Sequence, residues 1–191
     1  NPCSRTAGRS TNASLTMRRS APSRFKAMAG HPVTGRIALI DVLFRYDPDS
    51  GRGVGPLTLS IEAGEHLGIL GPSGCGKTTL LKLIAGLLPN ATPQILRGVV
   101  RNPFAEVGSE TAIGFMFQHP ALLPQKTVLE NVRFPLLAIP HTVEDEKHAD
   151  DLLRAVGLAD ASNLLPEQLS GGMRTRVSMA RALLRHPTLL L

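Results

Sequence analysis

Gly71-Pro72-Ser73-Gly74-Cys75-Gly76-Lys77-Thr78, followed by Thr79, is the stretch from which the rest of this chain can be read. It fits G-x-x-x-x-G-K-[ST], a pattern with a mechanical reason at each fixed position. Gly71, Gly74 and Gly76 let the backbone curl with successive N–H groups turned inward, toward phosphate oxygens that a Cβ would obstruct. Lys77 would put a compact cation at the β- and γ-phosphates, and Thr78 would offer a hydroxyl to Mg²⁺. Pro72, Ser73 and Cys75 fill the loop, and the whole run from Gly71 to Thr79 is expected to line the phosphates. A helix starting near Lys77 adds about half a positive charge aimed at the same anion. Chance alone would produce the four fixed positions in roughly one chain of this length in a hundred, so the flanks decide.

The flanks agree with the loop. His66-Leu67-Gly68-Ile69-Leu70 reads as a buried strand. Thr79-Leu80-Leu81-Lys82-Leu83-Ile84-Ala85 reads as a helix that ends at Gly86, with Pro89 beyond. Strand, glycine loop, helix is the context the motif requires.

Farther out, the order of the chain is expected to begin at Ile37. Ile37 to Tyr46 looks like a strand, Asp47 to Gly55 like a loop, and Leu57 to Ile61 like a half-buried strand. Ile95–Arg101 and Ile113–Phe117 are two further strands. From about 119 to 168 the texture turns to helices and prolines. Thr142-Val143-Glu144-Asp145 is a helix start, followed by Ala149, Leu152, Leu153 and Val156 at helical spacing and by Gly157 as its end. Arg174 to Arg185 is another helix, broken at Pro187, and Thr188–Leu191 begins an apolar strand. The sum is an α/β fold: a phosphate-loop sheet core, an antiparallel β edge and a helical insertion.

Bulk properties set limits. The 191 residues suffice for one domain with a real core, resting on aliphatic side chains because only 4% are aromatic. No apolar run reaches the 18 or so residues that span a bilayer, so a membrane role would go through a partner. The cysteines, Cys3 and Cys75, suggest neither a disulfide framework nor a metal site and fit a reducing compartment. Cys75 itself has two readings: a small spacer, or a thiol that faces nucleotide and is shielded by it. The formal charge of +6 is concentrated in residues 1–36, which hold Arg5, Arg9, Arg18, Arg19, Arg24, Lys26 and Arg36 and no acid. Residues 37–191 keep fourteen basic against fifteen acidic groups, a net of −1. The basic, disordered tail could be an anion-binding arm, a targeting peptide, a solvated extension, or sequence upstream of a true start at Met17 or Met28.

Leu169-Ser170-Gly171-Gly172-Met173 stands directly before the last helix. Alone it is a helix-capping turn. Together with the phosphate loop at this distance, it resembles the signature segment of ATP-binding cassette ATPases, and the resemblance runs from about Ile37 to Leu191. Tyr46 matches the aromatic that stacks on adenine, Gly71–Thr78 the Walker A loop, Gln118 the Q-loop glutamine, and Thr188–Leu191 the start of the Walker B strand. A narrower likeness is to nitrate/sulfonate/taurine-type importers. It rests on Phe117 to Pro124, Thr127 to Val132 and Ser170 to Ser178, with Gln125 in place of that group's tryptophan.

What the resemblance implies is an ATP- and Mg²⁺-dependent transport ATPase. Two such subunits, alike or different, would form a head-to-tail dimer. Tyr46, Lys77 and Thr78 of one and Ser170, Gly171 and Gly172 of the other would share each ATP. Lys77 and Gln118 would serve the reaction, and Thr78 and Gln118 the metal. The implied partners are an integral membrane permease and a solute-binding protein, at the cytoplasmic face of the inner membrane; nucleic acid is not expected. Export or lipid traffic, or a soluble cassette protein acting on nucleic acid or ribosomes, are the alternatives. The family's Walker B aspartate, catalytic glutamate and switch histidine would follow Leu191, so these 191 residues by themselves are expected to be catalytically inert.

Overall fold

The computed structural model describes residues 15–20, 35–46, 52–88, 95–104, 113–138 and 140–191. Cys3, Arg5, Arg9, Arg24, Lys26, Met28 and most of the loop from Asp47 lie outside them. The chain forms two compact units, Asn1–Pro103 and Phe104–Leu191.

In the first unit, β2 (Ile37–Arg45) is the middle strand of an antiparallel sheet, between β3 (Gly53–Ile61) and β5 (Ile95–Arg101). This is the antiparallel element that the sequence predicts, with β3 starting four residues earlier than Leu57 suggested. Alternation buries Ile37 and Leu39, then Val42 and Phe44, so the inward face changes phase between the two pairs. A bulge at Ile40 and Asp41 makes that change. Asp41 takes φ 49, and its N–H donates to Thr58 Oγ1 at 3.0 Å. Gly98 lies across the bulge at φ +84, where a Cβ would come within 2.4 Å of the Ile40 and Asp41 carbonyl oxygens. Only glycine fits there. The bulge thus delivers Phe44 to the interior and Tyr46 to the strand's end.

β4 (His66–Leu70) leads into the glycine loop, and α1 (Lys77–Ile84) leaves it, burying Thr79, Leu80, Leu83 and Ile84. Two expectations need correction here. The tail expected to be disordered contributes β1 (Thr16–Ser20), which pairs antiparallel with β4, Thr16 opposite Leu70 and Ser20 opposite His66. And β4 is not buried: Leu67 and Ile69 are half-buried, and Leu70 keeps 48% of its surface. Full burial needs cover on both faces of a strand, and among the described residues β1 is its sole ladder partner.

In the second unit, α2 (Val128–Arg133), α3 (Val143–Ala155) and α4 (Gly171–Leu183) surround one core. Val128, Val132, Leu136, Ala149, Leu153, Val177, Ala180 and Leu184 supply most of it. The helical packing expected for 119–168 therefore extends into the last helix. Local signals place the ends: Thr127 with Glu130 and Thr142 with Asp145 form reciprocal capping boxes. Hydrogen bonds from Thr142 hold the Asp145 carboxyl below its usual pKa.

The strand expected over Ile113–Phe117 is shorter. β6 (Ile113–Gly114) pairs in parallel with β7 (Leu189–Leu190). The Met116 N–H still reaches the Leu191 carbonyl at 2.8 Å, but the chain then bends at Gln118. The bend has a cause. Arg181 of α4 donates from Nη2 to the Pro120 carbonyl at 2.7 Å and from Nη1 to the Ala121 carbonyl at 2.9 Å, with Ala121 at φ 44. Burial lowers the Arg181 pKa from the usual guanidinium range without discharging it.

Asn131, fully buried, fixes the turn before α2. Its Oδ1 accepts from the Leu123 N–H at 2.7 Å, and its Nδ2 reaches the carbonyls of Leu123, Lys126 and Thr127 at 2.9–3.1 Å. Asn131→Leu keeps the branched shape, though not the volume, and strands these groups, so it should cost about 2–4 kcal/mol. The check is urea unfolding followed by helical circular dichroism. A loss under about 1 kcal/mol would mean water or a shifted turn replaces the amide.

Candidate nucleotide-binding site

The loop from Gly71 to Gly76 is built on its own backbone. The Cys75 N–H donates to the Pro72 carbonyl at 3.4 Å, and Gly76 caps α1 at φ 100 and ψ 6. A Cβ on Gly76 would meet the Gly53 carbonyl oxygen of β3 at 2.6 Å, so strand and loop approach more closely than any side chain permits. Lys77 bends back over the loop it follows. Its Nζ donates to the Gly71 carbonyl at 2.8 Å and the Pro72 carbonyl at 2.7 Å, and lies 3.6 Å from Cys75 Sγ. The cation is therefore fixed above the curl of the loop, beside the N-terminus of α1, whose first turn holds no acid. Ser73, Gly74 and Thr78 are exposed, and Cys75 is half-buried.

Tyr46 joins this group from the end of β2. Its hydroxyl is 3.2 Å from Thr79 Oγ1, and its ring meets Phe44 edge-on, centroids 4.9 Å apart at 86°. Tyr46, Gly71 to Gly76, Lys77, Thr78 and Thr79 thus belong to one unit.

Gln118, Ser170, Gly171 and Gly172 lie in the other. Gln118 is exposed in the bend after β6, next to the tilted pair Phe115–Phe117. Ser170 caps α4, its Oγ accepting from the Met173 N–H at 3.2 Å. Gly171 and Gly172 are the first turn of that helix, which starts earlier than the Arg174 expected. A Cβ on either would find no atom within 4 Å. The result is a second helix N-terminus with no acid in its first turn. Residue reading missed Arg181, whose two bonds span about sixty residues; a charged side chain in a helix's last turn gives no sign of such a target.

A strand–glycine loop–helix with its lysine folded over the loop defines a P-loop nucleotide-binding fold. The family model described as ABC transporter matches residues 54–191, and the chain belongs to that family. It is 42% identical over 146 residues to the sulfate/thiosulfate import ATP-binding protein CysA of Pectobacterium atrosepticum, covering 73% of this chain and 44% of that one. It is 40% identical over 161 residues to the aliphatic sulfonates import ATP-binding protein SsuB 1 of Pseudomonas aeruginosa, covering 83% and 62%. The chain thus spans about half the length of these curated relatives, and the aliphatic sulfonate relative fits the nitrate/sulfonate/taurine-type importer group that the sequence resembles. Among solved structures it resembles the ATP-binding cassette MJ0796 in a dimeric post-hydrolysis state bound to ADP and Pi. The TM-score is 0.60 and the identity 28%, over 81% of this chain and 72% of that one.

Proposed function

We propose that this chain is the nucleotide-binding part of an ABC import ATPase that powers uptake of a sulfur oxyanion or sulfonate through a separate membrane permease. The observation that carries the reading is Lys77 Nζ held over the Gly71 and Pro72 carbonyls, at the N-terminus of a helix free of acid in its first turn. A cation and a helix dipole converge there on the volume that a triphosphate would fill. Tyr46, at the edge of that volume, is the platform for adenine.

Mg²⁺ prefers hard oxygen ligands and keeps much of its water. Thr78, exposed in the first turn of α1, fits as one ligand. Bound there, the ion would neutralise charge on the β- and γ-oxygens. The chain's own part is to bind and orient: Lys77 on the phosphates, Tyr46 on the base. Ser170 with the Gly171 and Gly172 N–H groups would close over the γ-phosphate of a second subunit's nucleotide.

The relatives' names speak of import, and exposed apolar side chains of the second unit suit a partner at the membrane. Phe134, Leu137 and Val143, around the short helix after α2, leave 44%, 73% and 65% of their surfaces exposed. Such side chains suit an apolar segment of a permease. The subunit would then be peripheral, on the cytoplasmic face. No helix among the described residues is long and apolar enough to cross a membrane.

The direct test is calorimetric titration with Mg-ATP, followed by transport of sulfate and an alkanesulfonate in vesicles carrying the permease. Absence of nucleotide binding would overturn the reading, and transport of neither anion would overturn its substrate class. Cys75 gives a second test. Its sulfur faces the lysine that would hold phosphate, so Mg-ATP should slow its labelling by a thiol reagent at least about tenfold while leaving Cys3 untouched. Site-resolved mass spectrometry reads both rates. Equal slowing of both cysteines, or none, would mean Cys75 only fills space.

A further inference from the structure

We infer that Thr79 is a positioning residue for base selection: its hydroxyl holds Tyr46 in place as a platform for a purine, so that base and triphosphate are read by one linked unit. This rests on the nucleotide reading above and deepens it. The two hydroxyls are 3.2 Å apart across 33 residues of sequence. Thr79 is buried to 9% exposure in the first turn of α1, two residues past the lysine. Tyr46 keeps 38% of its surface exposed, although its hydroxyl, ring and backbone are all engaged. The hydroxyl meets Thr79, the ring meets Phe44, itself 1% exposed, and the backbone N–H donates to the Arg52 carbonyl at 3.0 Å.

An exposed aromatic at a strand end ordinarily samples several rotamers, and stacking a base on it would cost the entropy of choosing one. Here that choice is made before any base arrives. The hydroxyl bond also ties the platform to the helix whose N-terminus and Lys77 face the phosphates. A buried threonine hydroxyl needs a partner, and in this fold its partner is the one group that would select the base.

The chain contains one tyrosine and no tryptophan, so its intrinsic emission reports on Tyr46 alone. The experiment compares wild type, Thr79→Val, Tyr46→Phe and the double variant. Each is titrated by calorimetry with Mg-ATP and with inorganic triphosphate, and the emission anisotropy of Tyr46 is read without ligand. Thr79→Val keeps the branched shape and Tyr46→Phe keeps the ring, so each removes only the bond. The expected result is ATP binding about three- to tenfold weaker in either single variant, the double variant no weaker than Thr79→Val alone, and triphosphate binding unchanged in Tyr46→Phe. Tyr46 anisotropy should fall in Thr79→Val. If Thr79→Val fails to fold by circular dichroism, Tyr46→Phe alone carries the comparison, since its ring contact with Phe44 remains. Additive losses, or unchanged ATP affinity in Tyr46→Phe, would overturn the proposal. So would an equal loss for triphosphate in Tyr46→Phe, which would tie the tyrosine hydroxyl to the phosphate loop and not to the base. Wild type that binds neither ligand would overturn the nucleotide reading itself, an outcome distinct from these.

Discussion

Lys77→Ala should weaken Mg-ATP binding by about a hundredfold or more while leaving the melting temperature nearly unchanged. Both halves of this expectation come from the same geometry. The ammonium donates to two exposed loop carbonyls, Gly71 at 2.8 Å and Pro72 at 2.7 Å. Water can replace it at both, so little stability is lost. Charge-assisted hydrogen bonds to a triphosphate are worth about 1.5–3 kcal/mol each. The helix dipole and backbone N–H groups would remain, and together they offer about half a charge against a ligand carrying several. Lys77→Arg should recover little, because the planar fork cannot take the place of a point charge seated between two carbonyls. Equilibrium dialysis of labelled ATP against both variants, with thermal melts alongside, decides the matter. Near-normal affinity in Lys77→Ala would end the phosphate-loop assignment.

How far the sequence could be read depended on whether a signal was local. Glycine spacing, capping residues and apolar period are local, and they placed the loop, α1, β5 and α3 within a residue or so. The capping turn at Ser170 was legible for the same reason, since serine announces a helix N-terminus by its type. Burial is not local. His66–Leu70 is apolar enough to be a core strand, yet it lies half-open because its cover comes from elsewhere in the chain or not at all. Composition gave no sign of β1: seven basic groups and no acid over residues 1–36 suggested solvation, but a ladder needs only backbone, and Thr16–Ser20 pairs with β4. Contacts between distant elements were invisible as well. Nothing in the order of residues joins Tyr46 to Thr79, or Arg181 to the carbonyls after Gln118.

The second large effect is expected at Ser170. Its hydroxyl caps α4 through the Met173 N–H, and the next two residues, Gly171 and Gly172, face open space with no acid in the first turn. A helix end of this kind suits an anion, and the proposed anion is the γ-phosphate bound by a second subunit. Ser170→Arg should leave ATP binding to the isolated subunit within about twofold, because Tyr46, Lys77 and Thr78 belong to the other unit. ATP-driven dimerisation should fall at least about a hundredfold, since a long cationic side chain would occupy the gap through which backbone N–H groups must reach phosphate. Losing the cap alone costs about 1 kcal/mol, so Ser170→Ala separates the two effects: it shares the stability loss but leaves the gap open and should still dimerise. Sedimentation velocity with and without Mg-ATP measures all three proteins under identical conditions. If Ser170→Arg dimerises on ATP as readily as wild type, the Ser170–Gly172 turn caps a helix and nothing more.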